Sequence, residues 1–281
     1  MAIDLHCHTR ISDGSTNIDE LLFIARRMGV NIISVTDHDT FAGAKRAEVL
    51  GGRLGIEVVL GAEFSSFSTN ARHGVSILCY MCEHPYRLEG LCLRNSKIRQ
   101  SAFEEYLPKI MRQYPISPET VSAKARGSSN VFKNHVIQAI MDSGYSSQSY
   151  AFLSNKLFGA EGVAKLEERY PEPEEVINFI HEAEGLAVFA GVKECDLDFL
   201  LPSLVKHKLD GIEVFSPDIN EKLKEKLVDF ANKNDLLITG GSNFHGMYSS
   251  YPRLIGSGGI SRELFKMMEK RKKIISRVGA Y

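Results

Sequence analysis

Three observations predict an α/β fold built around a parallel barrel. Short apolar runs alternate with amphipathic stretches in the first and last thirds of the chain, a pattern typical of strands followed by helices. Seven such apolar runs occur, and this alternation favours a parallel sheet or barrel. Between them, roughly residues 86–165 lose the alternation and indicate helices alone. The sequence therefore predicts a seven-stranded α/β barrel with an inserted helical subdomain.

The composition is ordinary for a globular protein and argues against several classes. The 281 residues are 43% hydrophobic and 25% charged, and the formal net charge of -1 disfavours general coating of nucleic acid. No apolar run approaches the ~20 residues that cross a bilayer, and no signal peptide precedes the first strand, so we expect a cytoplasmic protein without a membrane partner. The five cysteines lack framework spacing, which argues against a disulfide scaffold.

The first predicted strand, 2–5, runs into the triplet His6-Cys7-His8. Because successive strand residues point to opposite faces, both imidazoles leave on the same side, where they suit a divalent metal ion. Asp13 in the following loop is a third candidate ligand. The alternative is a pair of surface histidines beside a turn aspartate, so the metal hypothesis depends on further ligands elsewhere in the chain.

The next two elements repeat the strand and helix pattern. Asn17 begins a helix with capping-box spacing to Glu20, and Gly29 ends it. The strand that follows, 31–35, leads into Thr-Asp-His-Asp-Thr, which places His38 after the end of a second strand.

A second helix, 42–54, leads to a third strand, 57–60, and this strand ends at Glu63 in a Gly-Ala-Glu sequence. The fourth strand, 75–80, differs because its histidine, His73, comes before it.

The predicted insertion contains three helical segments. Residues 91–114 have apolar side chains at helical spacing, and Ser117-Pro118-Glu119 begins another helix with the order of an N-cap, a proline and an acid. A third segment covers 130–144.

The alternation resumes after residue 171. The remaining predicted strands are 186–190, 211–215 and 236–239, and the remaining helices are 173–180, 197–206, 221–232 and 262–273. The last helix is basic at its C-terminal end, where positively charged side chains interact favourably with the helix dipole.

Five candidate ligands come after predicted strands, and strand ends share one mouth in a parallel barrel. They are His6, His8, His38, Glu63 and His245. Three other histidines, His84, His181 and His207, lie at a turn or on helices, where isolated histidines are usually solvated or packed.

Several ordered motifs together resemble the polymerase and histidinol phosphatase (PHP) family, most closely its stand-alone phosphoesterases. They are H-x-H at 6–8, S-D-G-S at 12–15, T-D-H-D-T at 36–40, G-x-E at 61–63, His73, His135 at the start of a helix, and G-G-S-x-F-H-G at 240–246. The resemblance implies a distorted (β/α)7 barrel domain formed by residues 1–85 and 166–281, with residues 86–165 capping its mouth.

The resemblance also implies two or three divalent ions, of manganese, iron or zinc. One set of ligands would be His6, His8, Glu63 and Asn243. Glu63 would bridge to a second ion held by His73 and His135. A third ion would be held by Asp13, His38 and His245, with Asp37 orienting a ligand or, alternatively, capping the next helix.

Two positions depart from the family pattern. Position 243 is usually aspartate and is Asn243 here, so this ion should be held less tightly. The strand 186–190 is usually followed by His-Pro and is followed by Gly191-Val192 here. Either change is compatible with two ions instead of three, another substrate, or an impaired enzyme.

The implied activity is hydrolysis of a phosphomonoester by metal-activated hydroxide, on a nucleotide such as a nucleoside bisphosphate or on the 5′ end of a short oligonucleotide. Lys133 stands where the family often has a phosphate-binding arginine, and Arg10 is a second candidate cation. The alternatives are an impaired phosphate- or nucleotide-binding module on the same fold and, less favoured, an amidohydrolase, which would need a metal-bridging lysine that we do not find.

Overall fold

The computed structural model describes residues 2–166 and 168–278, in which a mixed α/β fold contains eight strands and ten α-helices. The strands are β1 (Ala2–Cys7), β2 (Val30–Val35), β3 (Glu57–Val58), β4 (Gly61–Ser68), β5 (His73–Tyr80), β6 (Leu186–Ala190), β7 (Gly211–Phe215) and β8 (Leu237–Gly240). The helices are α1 (Ile18–Arg27), α2 (Ala42–Leu54), α3 (Glu89–Met111), α4 (Pro118–Lys124), α5 (Lys133–Asp142), α6 (Tyr150–Phe158), α7 (Pro173–Glu182), α8 (Leu200–Lys206), α9 (Glu221–Lys233) and α10 (Arg262–Val278).

The strands form two sheets. The first is parallel with the order β1-β2-β3, and the second has the order β4-β5-β6-β7-β8. Single bridges connect them: Cys7 of β1 pairs with Phe244 after β8, and His38 after β2 pairs with Glu63 of β4. The two bridges bring the ends of β1, β2 and β8 and the start of β4 to one place.

The prediction that all strands run parallel is wrong for β5, which runs antiparallel to both of its neighbours. β4 pairs antiparallel with β5, and β5 pairs antiparallel with β6, whereas β6, β7 and β8 are parallel. β4 has the sequence GAEFSSFS, in which three serines interrupt the apolar pattern by which strands are recognised. This eight-residue strand, which is buried along most of its length, was therefore not predicted. Glu63 therefore lies inside a strand and not in the loop after one.

Of two N-caps predicted from the sequence, both occupy the predicted position but only one makes a capping hydrogen bond. The Oγ of Ser117 accepts a hydrogen bond from Thr120 N, as expected of an N-cap. Asn17 occupies the N-cap of α1, but its side chain makes no capping hydrogen bond. Burial of Leu21, Leu22 and other apolar residues against the sheet positions α1 instead.

The helices α3 to α6 have an apolar cluster of their own, in which Tyr106, Ile110, Ile140 and Leu157 are at most 2% exposed. Residues 1, 167 and 279–281 of the predicted barrel domain lie outside the described residues. Within the described ranges, no helix combines the length and the apolar character needed to cross a membrane.

Candidate metal centre

The end of β1 carries the first group of candidate ligands. Nε2 of His6 and Nε2 of His8 are 3.1 Å apart, and Glu63 Oε2 lies 2.9 Å from the former and 3.0 Å from the latter. Bonds of roughly 2.1 Å at right angles to one ion separate ligand atoms by roughly 3 Å, so these three atoms fit a shared divalent cation.

A close backbone contact fixes the position of His6. A Cβ placed on Gly241, which follows β8, would lie 2.4 Å from both the N and the Cβ of His6. Only glycine fits there, and this contact lets the segment after β8 pass directly over the end of β1.

The second group surrounds Asp13. Its Oδ2 lies 3.2 Å from His245 Nε2 and 3.6 Å from His38 Nε2, and its Oδ1 lies 3.3 Å from His8 Nδ1. The rings of His8 and His245 are stacked with centroids 4.1 Å apart. His8 thus stands between the two groups, with Nε2 toward Glu63 and Nδ1 toward Asp13.

Three buried ring nitrogens in this region make no well-aligned hydrogen bond among the described residues, although His8 Nδ1 is close to Asp13. They are His8 Nδ1, His38 Nδ1 and His135 Nε2. An unpaired buried polar atom costs about 1–3 kcal/mol. Imidazole nitrogens and carboxylate oxygens in one place are a donor set that fits divalent metal ions.

The electrostatics of the cluster are dominated by its two carboxylates. Burial opposes a charge on His8, but Asp13 and Glu63 outweigh it and raise the pKa of His8 to about 9. Burial also opposes ionisation of Glu63, yet His38, His6 and His8 hold its pKa well below its ordinary value. Without a cation His8 therefore retains its proton, and a bound metal ion would displace it.

Glu213 is a site residue that the sequence reasoning missed. Its Oε1 lies 2.8 Å from His6 Nδ1, so it orients the ring and leaves Nε2 facing Glu63. Glu213 lies in the middle of β7 and is 2% exposed. A charged residue inside the apolar strand sequence GIEVF was the signal that could have identified it.

Asp37 holds the loop that carries Asp13. Its carboxylate accepts hydrogen bonds from Thr9 N at 2.8 Å, Thr9 Oγ1 at 2.7 Å and Ser12 Oγ at 2.7 Å. The capping alternative is excluded because Phe41 is the N-cap of α2.

The structure contradicts the predicted pairing of Glu63 with His73. Glu63 is opposite Leu78 in the hairpin, and His73 is opposite Ser68, five residues further along, about 16 Å away. Nε2 of His73 instead lies 2.8 Å from Asp196 Oδ1. The prediction failed because the length of β4 carries the start of β5 away from the centre.

Two further predicted ligands lie at the margin of the centre. His135 uses Nδ1 to accept a hydrogen bond from Phe132 N at 3.0 Å, and burial lowers the pKa of His135 to about 4. Asn243 donates from Nδ2 to Asp218 Oδ2 at 3.4 Å, so a neighbouring carboxylate orients its amide.

The two predicted cations differ in their surroundings. Lys133 lines a cavity beside Asp13 and His38, and its Nζ is 2.5 Å from Glu168 Oε1. Arg10 is exposed and has no ion pair among the described residues. Arg10 lies beside two surface pockets and does not line the cavity at Asp13.

Comparisons with known proteins identify the family of this chain. Residues 4–189 match the PHP domain. The phosphoribosyl 1,2-cyclic phosphate 1,2-diphosphodiesterase of Eggerthella lenta is 32% identical over 90% of this chain and 98% of its own. The 5′-3′ exoribonuclease of Haemophilus influenzae is 27% identical over 86% of this chain and 89% of its own.

A solved structure shows the same fold. A Bifidobacterium adolescentis protein assigned as a metal-dependent phosphoesterase superposes with a TM-score of 0.86, at 23% identity and 95% coverage of both chains. The motifs at the strand ends, the geometry of the ligands and these matches lead to one conclusion: the chain belongs to the PHP domain family.

Proposed function

We propose that this chain is a metal-dependent phosphoesterase that hydrolyses a phosphomonoester of a nucleotide, such as a nucleoside bisphosphate, or of the 5′ end of a short oligonucleotide. One observation carries the proposal: Glu63 Oε2 lies within 3.0 Å of both His6 Nε2 and His8 Nε2 in a buried site. The names of the Eggerthella and Haemophilus relatives describe cleavage of phosphate esters, which supports this reaction class.

We propose two divalent ions, of manganese, iron or zinc, instead of three. His6, His8 and Glu63 would hold one, and Asp13, His38 and His245 would hold the other, with His8 beside both. The second ion that the family pattern implies loses the ligand His73, whose Nε2 lies beside Asp196 instead. The histidine that usually follows the strand 186–190 is also missing, because Gly191 stands there.

Bound divalent ions supply positive charge for phosphoryl oxygens and a nucleophile at neutral pH. The residues of this chain then have distinct tasks. Glu213 fixes the ring of His6, and Asp37 fixes the loop of Asp13. Lys133 supplies charge at the cavity wall once a phosphate competes with Glu168 for it, and Arg10 would contact a substrate portion outside the cavity.

The predicted domain division fits this scheme. We propose that the two bridged sheets form one distorted (β/α)7-type barrel from residues 1–85 and 166–281, and that residues 86–165 cap its mouth. Phe132 and Lys133 at the start of α5 support the capping role, because both line the cavity beside Asp13 and His38.

The test is release of inorganic phosphate from nucleoside monophosphates, nucleoside bisphosphates and 5′-phosphorylated oligonucleotides in the presence of manganese. We expect release from at least one substrate, loss of at least about a hundredfold in E63A, and full activity in H207A, whose imidazole is exposed. Absence of release from every substrate, despite full metal content, would refute the enzymatic function.

The second candidate is an impaired phosphate- or nucleotide-binding module. Asn243 supports it, because its amide is directed to Asp218 and provides no charged ligand. This alternative predicts tight binding of nucleoside bisphosphate without turnover, and the same substrate panel decides between the two.

A further inference from the structure

A group of three side chains outside the metal centre combines a nitrogen, a sulfur and an oxygen. His73 begins β5, and Cys195 and Asp196 belong to the single helical turn Glu194–Leu197 that follows β6. One ligand atom from each of the three residues lies within 4.8 Å of the other two. Imidazole, thiol and carboxylate in one place are a donor set for a metal ion.

The register of the sheet explains why residues so far apart in the chain meet. β5 runs antiparallel to β6, and Ser76 is opposite Ala190, so the start of β5 and the chain after β6 leave the sheet at the same edge. Asp196 is fixed there because its Oδ2 accepts a hydrogen bond from Lys193 N at 2.8 Å. The side chain of Asp196 is 1% exposed, and its Oδ1 is directed at His73.

The contact between His73 and Asp196 lacks a donor when the imidazole is neutral. Nδ1 of His73 lies 2.9 Å from the carbonyl oxygen of Gly74, which assigns the ring proton to Nδ1. Nε2 then presents a lone pair, yet it lies 2.8 Å from Asp196 Oδ1, which also has only lone pairs. A proton or a metal ion has to bind both atoms.

Cys195 favours the metal ion over the proton. Its Sγ lies 3.9 Å from the same Oδ1 of Asp196, and the residue is exposed, so an ion can reach the group from solvent. Tetrahedral bonds of roughly 2.1 Å to nitrogen or oxygen and roughly 2.3 Å to sulfur separate ligand atoms by roughly 3.4–3.6 Å. The distances of 2.8 Å and 3.9 Å lie on either side of this range. The adjacent Glu194 is paired with Lys226, so it does not compete as a ligand.

This group is distinct from the metal centre. His73 is five residues along β5 from Leu78, the partner of Glu63 in the hairpin, so roughly 16 Å of strand separate it from Glu63. The donors also differ, because the proposed ligands of the centre are imidazoles and carboxylates, whereas Cys195 adds a thiolate here. A thiolate favours zinc over manganese, magnesium and calcium, which prefer oxygen ligands.

We propose that His73, Cys195 and Asp196 bind one Zn²⁺ ion. Three protein ligands leave a fourth tetrahedral position for water or another ligand. The ion joins the start of β5 to the turn after β6, two segments that lie beyond the last pair of strand residues, Ser76 and Ala190. The proposal does not depend on whether the chain hydrolyses a phosphate ester.

Cobalt titration tests the proposal, because a thiolate bound to Co²⁺ gives a near-ultraviolet charge-transfer band that imidazole and carboxylate ligands do not give. We expect this band in the wild type and its loss in C195S, which alters an exposed side chain and leaves the core intact. H73A should need at least about tenfold more cobalt for half of the band.

Control variants separate this site from other cysteines and from the metal centre. C92S alters a half-buried cysteine that belongs to no group of candidate ligands among the described residues, and it should keep the band. H8A removes the histidine shared by both ligand groups of the centre and should also keep it.

The reactivity of Cys195 provides a second measurement. A thiolate bound to zinc is a poor nucleophile, so saturating Zn²⁺ should slow alkylation of Cys195 by iodoacetamide at least about tenfold in the wild type. In H73A the cysteine remains but loses a fellow ligand, so the same zinc concentration should protect it much less. Peptide mass spectrometry measures the rate at Cys195 alone.

Absence of the thiolate band in the wild type would overturn the proposal, as would an undiminished band in H73A. Equal alkylation rates of wild-type Cys195 with and without zinc would overturn it too, and would leave an ion pair of protonated His73 with Asp196. If the band is present but no phosphate is released from any substrate, the zinc site stands and the enzymatic function fails. Phosphate release without the band refutes the zinc site alone.

Discussion

Nδ1 of His6 lies 2.8 Å from Oε1 of Glu213, so a buried carboxylate of β7 sets the direction of a ligand at the end of β1. This contact leaves Nε2 as the ring nitrogen that faces Glu63. The first ligand group therefore depends on a residue that would not itself touch the metal ion.

We expect E213Q to weaken metal binding at the first group by roughly 10- to 100-fold, because an amide orients His6 less strongly than a carboxylate does. Manganese titration of the purified variant measures this change. E225Q, which alters an exposed residue of α9, is the control. Equal affinities in the two variants would show that the contact with Glu213 is dispensable.

Substitution of His8 should lower the content of bound metal more than substitution of any other histidine does. H8A deprives both ligand groups of a member, whereas H245A deprives only the group around Asp13. Elemental analysis after equilibrium dialysis should show the lowest metal content for H8A, an intermediate content for H245A and the wild-type content for H207A. Equal contents in H8A and H207A would refute the assignment of the centre.

Metal affinity should rise with pH. The metal-free protein holds a proton on His8, whose pKa is about 9, and the metal-bound protein does not, so raising the pH favours the bound form. Burial opposes a charge on His6 too, but Glu213 and Glu63 outweigh it and raise the pKa of His6 well above its ordinary value. We therefore expect an increase of at least about tenfold per pH unit between about pH 7 and pH 9. Titrations at constant ionic strength measure it, and an unchanged affinity across this range would contradict the protonation scheme.

The close approach of Gly241 to His6 predicts that a side chain at position 241 destabilises the protein and lowers its metal content. G241A should lower the free energy of unfolding by about 1–3 kcal/mol and reduce metal content, because its Cβ would overlap backbone and Cβ atoms of His6. G52A is the control, since a Cβ on Gly52 of α2 meets nothing within 4 Å and should stabilise the helix slightly. Denaturant unfolding and metal analysis of both variants provide the comparison, and an unaffected G241A would be inconsistent with this contact.

Sequence reasoning predicted which candidate ligands lie together after strand ends. His8, His38 and His245 were identified because strand ends meet at one mouth whatever the details of the sheet. His73 was misplaced because its position depends on the length and direction of β4, and serine-rich strands do not show the apolar alternation from which strands are recognised.

Residues that act through partners were harder to predict. Glu213 lies far along the chain from His6, in a strand whose apolar sequence predicted burial but not a contact with the metal centre. Its charge was visible in the sequence, but the register of β7 decides that it meets His6.

The position of His8 between the two ligand groups links the binding of the two metal ions. An ion held by Glu63 and His6 would immobilise the shared imidazole, and the stacked ring of His245 with it, before the second ion arrives. The second binding step then requires less ordering of side chains, so the two ions should load cooperatively and dissociate as a pair.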